Sequence, residues 1–257
     1  MVDLNNKVAL ITGSSDGIGK ATALLFSSLG AKVAIVGRDQ SKLDKVAAEC
    51  EAKSPHHYKP VVTKADFIRD EDVIRTFEET LSAYKTLDIL VNNAGLAATK
   101  GFGEPDAMAD YDRVQQINVK AVVRLTELAA PHLKQTKGAI VNVSSVAGIR
   151  PLQAYWSYCM SKASLDMFTK CMAGKLAPHV RVNSVNPGLT RSNFFSSHPD
   201  PDALLSALAQ EQPLKRIAEP IDIANVIAFL ASDAARNMTG SIVVSDTGEL
   251  IADPYAK

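Results

Sequence analysis

Short, almost continuously apolar segments recur along the chain, and each is followed by a stretch whose apolar residues return with the period of a helix. The apolar segments consist mainly of Val, Ile and Leu without polar alternation, which is typical of parallel strands buried on both faces. The predicted strands are Val8–Thr12, Lys32–Val36, Pro60–Lys64, Ile89–Asn92, Ala139–Val143, Val180–Val185 and Ile242–Val244. The pattern therefore predicts a parallel seven-stranded sheet.

Helical segments lie between these strands. The predicted helices are Ala21–Leu29, Ser41–Ala52, Glu71–Tyr84, Tyr111–Leu133, Tyr155–Leu176 and Ile221–Ser232. Alternating strands and helices favour right-handed crossovers with helices on both faces of the sheet. The predicted fold is thus α/β, a three-layer doubly wound (Rossmann) arrangement, and since no linker or repeat divides the chain, residues 1–257 are expected to form a single domain.

Two stretches, Ala94–Asp110 and Pro187–Pro213, interrupt this alternation. Each follows a strand, and in an open parallel sheet the loops at the carboxyl ends of strands form the ligand crevice. Both are therefore candidates for covering a ligand, and residues of about 187–213 are the predicted substrate loop.

Composition excludes several classes of partner. The 257 residues carry 28 basic and 28 acidic side chains, and this neutrality argues against nucleic acid or an anionic membrane as partner. Three cysteines without a Cys-x-x-Cys pair suit a reducing compartment, and no apolar run approaches the roughly 18 residues of a membrane span. A cytoplasmic, soluble protein is expected. No metal site is predicted, because the adjacent His56 and His57 cannot converge on one ion.

A glycine-rich turn joins the first predicted strand to the first helix. Here Gly13 allows a tight turn, Gly17 lets the backbone approach a pyrophosphate, and Gly19 lets the helix pack close to the strand. Phosphates can then bind the free N–H groups at the helix N-terminus. The position of the turn favours a dinucleotide site over a plain loop.

A second candidate site is the pair Tyr158 and Lys162, the only Tyr-x-x-x-Lys in the chain. Residues four apart share one face of a helix. A phenol with a pKa near 10 is a poor base at neutral pH, and a neighbouring cation favours the phenolate and lowers that pKa. On spacing alone, two interpretations remain. Either Tyr158 is a catalytic acid/base whose pKa is set by Lys162, or the two side chains are neighbours on the surface by chance.

These motifs resemble those of the short-chain dehydrogenases/reductases, single-domain oxidoreductases that use NAD(P)(H). The resemblance starts with Thr12-Gly13-x-x-x-Gly17-x-Gly19, continues with Asn92-Asn93-Ala94-Gly95 after the fourth strand, and covers about residues 7–251. The chain departs from the family at Val244-Ser-Asp-Thr-Gly248, where Asp-Gly-Gly is more usual.

The resemblance implies a catalytic set of four residues: Asn118, Ser145, Tyr158 and Lys162. Tyr158 would donate or accept the proton, Ser145 would position the substrate oxygen, and Lys162 would hold the nicotinamide ribose and lower the pKa of the tyrosine. The backbone of Asn118 would hold a water that leads to the lysine. From the residues alone, Ser145 could also be a turn serine, and Asn118 a buried polar group at a bulge.

The resemblance also implies the cofactor contacts. These are Gly13, Ser15, Asp16, Gly17, Ile18, Gly19, Arg38, Asp66, Asn93, Ala94, Gly95, Tyr158, Lys162, Pro187, Gly188, Thr190 and Ser192. Among them Asp66 is equally a turn former at a strand end, and at Thr190 only a backbone contact is carried over.

The end of the second strand bears on which cofactor is used. NAD enzymes of this fold usually place an acidic residue there to bind the ribose 2′-hydroxyl, whereas this chain has Gly37 followed by Arg38. A guanidinium suits a 2′-phosphate. NADP(H) is therefore preferred and NAD(H) remains possible, because Asp39 could approach the ribose and Asp16 stands where many NADP-dependent members carry a basic residue.

The leading functional hypothesis is the NADPH-dependent, reversible reduction of a carbonyl to a secondary alcohol. The alternatives are a non-catalytic dinucleotide-binding protein and a lyase or epimerase on the same scaffold. An apolar carbonyl or alcohol, such as a steroid, isoprenoid or 3-oxoacyl compound, is suggested by apolar residues near the crevice: Leu96, Phe102, Ile149, Leu152, Phe194 and Phe195. A homodimer or homotetramer is implied by the family and by the excess apolar surface of the helices Tyr111–Leu133 and Tyr155–Leu176.

Overall fold

A computed structural model of the chain, which describes residues 2–191 and 200–252, contains one sheet of seven parallel strands in the order β3-β2-β1-β4-β5-β6-β7. The strands are β1 (Val8–Ile11), β2 (Lys32–Gly37), β3 (Val61–Lys64), β4 (Ile89–Asn92), β5 (Ala139–Val143), β6 (Arg181–Pro187) and β7 (Ile242–Ser245). Each differs from its predicted bounds by no more than two residues. The predicted doubly wound α/β fold is confirmed.

Helices cover both faces of this sheet. They are α1 (Gly17–Ser28), α2 (Gln40–Lys53), α3 (Asp70–Tyr84), α4 (Ala107–Gln115), α5 (Ala121–Thr136), α6 (Trp156–Leu176), α7 (Pro201–Glu211) and α8 (Pro220–Ala231). Two of the expectations need correction. The single helix predicted over Tyr111–Leu133 is α4 and α5 joined by a π-helical turn, Gln116–Lys120, and the predicted substrate loop contains α7.

The start of α7 has a local cause. Asp200 caps the helix by accepting a hydrogen bond from the amide of Ala203 (3.0 Å), and Pro201 occupies its first turn. A carboxylate at the N-cap and a proline just after it are a strong start signal for a helix. Leu205 is its buried residue.

The hydrophobic core is divided between the two faces of the sheet. On one face, α1, α2 and α8 bury apolar residues that include Phe26, Leu43 and Ile227. On the other face, α3, α5 and α6 do the same. Strands β1, β2, β4 and β5 contribute to both clusters, which explains why their sequences are continuously apolar.

The strand order reverses at β1, which pairs with β2 on one side and β4 on the other. Such a switch point leaves a crevice at the carboxyl ends of the strands. The ends of β1 and β4 lie side by side there, as the 3.0 Å hydrogen bond from the amide of Thr12 to the carbonyl of Val91 shows. Among the described residues, no helix is both long and apolar enough to cross a membrane.

Candidate active site

Four hydrogen bonds fasten the glycine-rich turn to Asn93 and Ala94, the two residues that follow β4. The hydroxyl oxygen of Thr12 accepts from the amides of Asn93 and Ala94, each at 2.9 Å. The side-chain amide of Asn93 donates to the carbonyls of Thr12 (2.8 Å) and Gly13 (3.2 Å). The Asn93 side chain therefore holds the turn in place.

Two glycines of the turn have positive φ angles, +66° at Gly13 and +53° at Gly17, a conformation that favours glycine. A Cβ atom at Gly19 would lie 2.2 Å from the carbonyl oxygen of Gly13. The first turn of α1, which contains Ile18 and Gly19, can thus approach β1 only without a side chain at this position. The close approach leaves the crevice open above the N-terminus of α1, where an anion is favoured.

A cavity of about 190 Å³ lies at the carboxyl ends of β1–β4. Six residues predicted to bind the cofactor line it: Gly13, Ser15, Arg38, Asp66, Ala94 and Gly95. Asp66 also shapes the turn before α3, because its carboxylate accepts from the amide of Ile68 (3.2 Å). The two roles considered for Asp66 are therefore compatible.

At the rim of this cavity Arg38 is exposed and makes no ion pair with any described residue. Asp39, which could compete with a phosphate, instead caps α2 by accepting from the amide of Lys42 (3.1 Å). A Cβ atom at Gly37 would lie 2.9 Å from the hydroxyl oxygen of Ser15. Ser15 thus occupies the space that an acidic side chain at position 37 would need.

Lys42 is a residue that sequence reasoning missed. Its ammonium lies 3.1 Å from the carboxylate of Asp16, and Asp16 also accepts from the amide of Gly17 (2.8 Å). Asp16 and Gly17 line a second cavity, of about 520 Å³, on the other side of the turn, with Lys20 and Arg191. The spacing of Lys42 in the sequence gives no sign of this long-range pair.

Ser145, Tyr158 and Lys162 meet where β5 ends. Lys162, in α6, is buried and donates to the carbonyl of Val143 (2.8 Å), the last residue of β5. Its ammonium lies 5.5 Å from the ring centroid of Tyr158. Ser144 donates to the carbonyl of Lys162 (3.1 Å) and is buried, whereas the hydroxyl of Ser145 accepts from the amide of Ala147 (3.1 Å) at the edge of the crevice.

Burial shifts the pKa values of both titratable groups. The pKa of Tyr158 is raised by burial, and a hydrogen bond with Ser145 offsets part of the rise. Burial lowers the pKa of Lys162 to about 8, although Asp166 opposes the shift. The spacing had suggested a tyrosine pKa lowered by the lysine, whereas burial raises the pKa of Tyr158, so the phenol is protonated at neutral pH.

Asn118 lies in the π-helical turn between α4 and α5. Its side-chain oxygen accepts from the amide of Leu96 (2.9 Å), and its side-chain nitrogen donates to the carbonyl of Leu96 (2.9 Å) and the hydroxyl of Ser161 (3.0 Å). The side chain is thus fully engaged in joining the segment after β4 to α6. Such turns often mark functional sites, because the regular helical ladder is interrupted there.

A buried polar network beneath Ser145 was also missed by sequence reasoning. The side-chain amide of Asn186 donates to the carbonyl of Ser145 (3.0 Å) and to the carboxylate of Asp166 (2.8 Å). Asp166 follows Lys162 by one helical turn, and burial raises its pKa. The network connects the serine segment to the helix that carries Tyr158.

The turn that begins at the last residue of β6, Pro187, contains Gly188 and Thr190. The hydroxyl of Ser145 points toward the carbonyl of Pro187 (3.5 Å), and the hydroxyl of Thr190 donates to the carbonyl of Gly188 (3.1 Å). The remaining predicted residues of this segment lie outside the described residues: Ser192, Phe194 and Phe195.

The predicted apolar substrate residues are not all part of one surface. Leu96 lines the smaller cavity, whereas Phe102 is 85% exposed and packs edge-on against Trp156, with ring centroids 5.7 Å apart. Ile149 is exposed and Leu152 half-buried, both between β5 and α6.

Comparison with known proteins identifies the family. A sequence profile described as enoyl-(acyl carrier protein) reductase matches residues 13–249. The 3-oxoacyl-(acyl-carrier-protein) reductase of Thermotoga maritima is 37% identical over 257 residues, covering 96% of this chain and 99% of the relative.

Two solved structures superpose closely. A short-chain dehydrogenase/reductase of unknown function from Caenorhabditis elegans, solved with cofactor, has a TM-score of 0.90 at 33% identity and covers 98% of this chain and 97% of its own. L-sorbose reductase from Gluconobacter frateurii, complexed with NADPH and L-sorbose, has a TM-score of 0.90 at 31% identity, with coverages of 97% and 98%. The chain therefore belongs to the short-chain dehydrogenase/reductase family and is, as its motifs predict, an NAD(P)(H)-dependent oxidoreductase.

Proposed function

We propose that the protein reduces a ketone to a secondary alcohol with NADPH, in a reversible reaction. The observation that carries this proposal is the convergence of Ser145, Tyr158 and Lys162 at the end of β5, beside the crevice. A non-catalytic role would require neither a buried lysine at this point nor an adjacent phenol. The lyase or epimerase alternative has no specific observation in its favour.

Tyr158 acts as the general acid. Because burial raises its pKa, it holds a proton at neutral pH that it can give to the developing alkoxide. The hydroxyl of Ser145 binds the same oxygen and stabilises its growing negative charge. The bound nicotinamide supplies the hydride.

Lys162 and Asn118 support this acid. The buried ammonium of Lys162 favours negative charge on the Tyr158 oxygen once the proton has left, and it lies close enough to the crevice to bind a ribose hydroxyl. Asn118 keeps the segment after β4 against α6. It is thus a positioning residue whose backbone, in the π-helical turn, is available to a proton relay.

The cofactor fits the chain at named residues. Gly13, Gly17 and Gly19 leave room for a pyrophosphate at the N-terminus of α1, and the cavity beside Asp66 would receive the adenosine. Arg38 would pair with a 2′-phosphate. In support, a relative of the same fold was solved with NADPH.

The substrate is a small ketone with an apolar flank. Two relatives, a 3-oxoacyl reductase and a sorbose reductase, act on compounds whose reacting group is a ketone. Leu96 and Leu152 near the crevice add the apolar contact. NADPH oxidation measured over 3-oxoacyl thioesters, ketosteroids and ketoses would rank these classes.

Replacing Tyr158 with Phe tests the proposed acid. We expect kcat to fall by about 10²-fold or more, the usual contribution of a positioned acid, with the NADPH Kd nearly unchanged because the ring is kept. Tyr155→Phe, three residues away in sequence, is the matched control and should retain activity. Normal turnover by Tyr158→Phe would exclude the mechanism.

The pH profile tests the electrostatics. The pKa of Lys162 is lowered to about 8, so its ammonium is present below that pH and lost above it, while Tyr158 stays protonated because its pKa is raised. We expect kcat/KM for reduction to be level near pH 6–7 and to decline above about pH 8. A kcat/KM that rises between pH 8 and pH 9 would contradict this prediction, because reduction would then not depend on the protonated forms of Lys162 and Tyr158.

Replacing Arg38 with Ala tests the cofactor preference. A hydrogen bond to a charged group contributes roughly 1.5–3 kcal/mol, so we expect the Kd of NADPH to rise about 10-fold or more and that of NADH to change little. Arg236→Ala removes an exposed arginine elsewhere and is the control. An equal rise in the Kd of both cofactors would mean that Arg38 only stacks on the adenine and does not bind a 2′-phosphate.

The reciprocal substitution, Gly37→Asp, is crowded by Ser15. It should therefore be combined with Ser15→Gly before a gain in NADH affinity is sought.

We also infer a cytoplasmic homodimer or homotetramer. The outer surfaces of α4, α5 and α6 expose Met108 (63%), Val123, Met160 and Met167 (59%), more apolar area than isolated surface residues explain. Sedimentation velocity should give two or four times the subunit mass of 27.5 kDa. A species of one subunit mass at micromolar concentration would contradict this inference.

A further inference from the structure

The turn after β7 holds a buried carboxylate whose two oxygens both have partners. Glu249 is 8% exposed. Its Oε1 lies 2.6 Å from a guanidinium nitrogen of Arg150, and its Oε2 accepts a hydrogen bond from the amide of Leu189 (2.9 Å). Burying a carboxylate costs desolvation free energy unless the charge is paired and hydrogen-bonded. The burial of Glu249 therefore depends on Arg150 and Leu189.

The local backbone fixes the direction of Glu249. The carboxylate of Asp246 accepts from the amides of Gly248 (2.9 Å) and Leu250 (2.8 Å), on either side of Glu249. Gly248 has a φ of +90°, which turns the chain tightly. The turn includes the point at which the sequence departs from the usual family pattern, with Thr247 between Asp246 and Gly248.

Glu249 joins two segments that both lie next to Ser145, one after β5 and the other after β6. Arg150 belongs to the segment that leaves β5 through Ser145, and Leu189 follows the Pro187–Gly188 turn at the end of β6. A Cβ atom at Gly188 would lie 2.7 Å from the Oε2 of Glu249. The carboxylate is therefore packed directly against this turn.

The position of the turn determines which half of a dinucleotide it can touch. The cavity with Arg38 and Asp66 lies at the ends of β1–β4, whereas Ser145 and Tyr158 lie beyond it, at the ends of β5 and β6. A dinucleotide that reached both places would have its reacting ring beside the turn after β6, because Ser145 contacts both Tyr158, the proposed proton donor, and the carbonyl of Pro187.

We propose that Glu249 is a positioning residue that fixes the Pro187–Leu189 turn, and hence the nicotinamide half of the cofactor, through its bonds to Leu189 and Arg150. This inference rests on the proposed function. Arg150 supplies the countercharge that lets the carboxylate stay buried, and it ties the serine segment to the same point. Loss of Glu249 should loosen the nicotinamide end and leave the adenosine end as it is.

The experiment compares two ligands on the same variants. NADPH contains both halves of the cofactor, whereas 2′,5′-ADP contains only the half that would lie beside Arg38. In Glu249→Ala we expect the Kd of NADPH, measured by fluorescence, to rise about fivefold or more (~1 kcal/mol), and the Kd of 2′,5′-ADP to stay within about twofold. Glu249→Gln, which keeps an acceptor for Leu189 but loses the charge facing Arg150, should have a smaller effect.

Controls separate positioning from general destabilisation. Glu127→Gln removes the charge of a carboxylate paired with Arg124 at 2.7 Å on the surface of α5, and it should change neither Kd. Should Glu249→Ala not fold, Arg150→Ala and Glu249→Gln carry the same comparison. An unchanged Kd of NADPH, or equal weakening of both ligands, would overturn the proposal.

The wild-type protein separates this inference from the proposed function. If the wild type binds NADH rather than NADPH, the same test uses NADH and AMP. Binding of neither dinucleotide by the wild type would refute the proposed function itself.

Discussion

The hydrogen bonds between Thr12 and the end of β4 control the geometry of the crevice. The Thr12 hydroxyl accepts hydrogen bonds from the amides of Asn93 and Ala94. The side-chain amide of Asn93 in turn donates to two carbonyls of the turn. Because β1 and β4 are neighbours at the point where the strand order reverses, this brace joins the two halves of the sheet where the cofactor would lie. The backbone of the glycine-rich turn can then face a phosphate at Gly13, Gly17 and Gly19, which carry no side chains.

The proposed catalytic side of the crevice depends on polar groups buried below it. Lys162, Asp166 and Asn186 are held by β5, α6 and β6, and each contacts the segment around Ser145 or the strand that precedes it. Buried groups that are fully hydrogen-bonded are rigid. The reacting side chains can therefore be preorganised before substrate arrives, which is the main requirement for electrostatic stabilisation of a developing oxyanion.

The sequence was sufficient for the sheet, most helices and the general class of enzyme, because these depend on local periodicity and on motifs with a fixed spacing. It missed α7, although Asp200 and Pro201 carry a start signal, because the surrounding prolines favoured a loop. It could not find Glu249 or Lys42 as site residues. Their partners are separated by 60 residues (Leu189 and Glu249) and by 26 residues (Asp16 and Lys42), and such pairs are set by tertiary packing.

The pairing of charges beside Arg38 explains how a neutral chain can leave a cation available at the proposed adenosine site. Two carboxylates, Asp16 and Asp39, lie near the cavity, and either would repel a 2′-phosphate if it were unpaired. Lys42 engages both: its ammonium pairs with Asp16 and its backbone amide binds Asp39. Arg38 makes no ion pair with the described residues, so its guanidinium is the charge that remains for the proposed 2′-phosphate. The proposed preference for NADPH thus depends on how the surrounding charges are paired as much as on Arg38 itself.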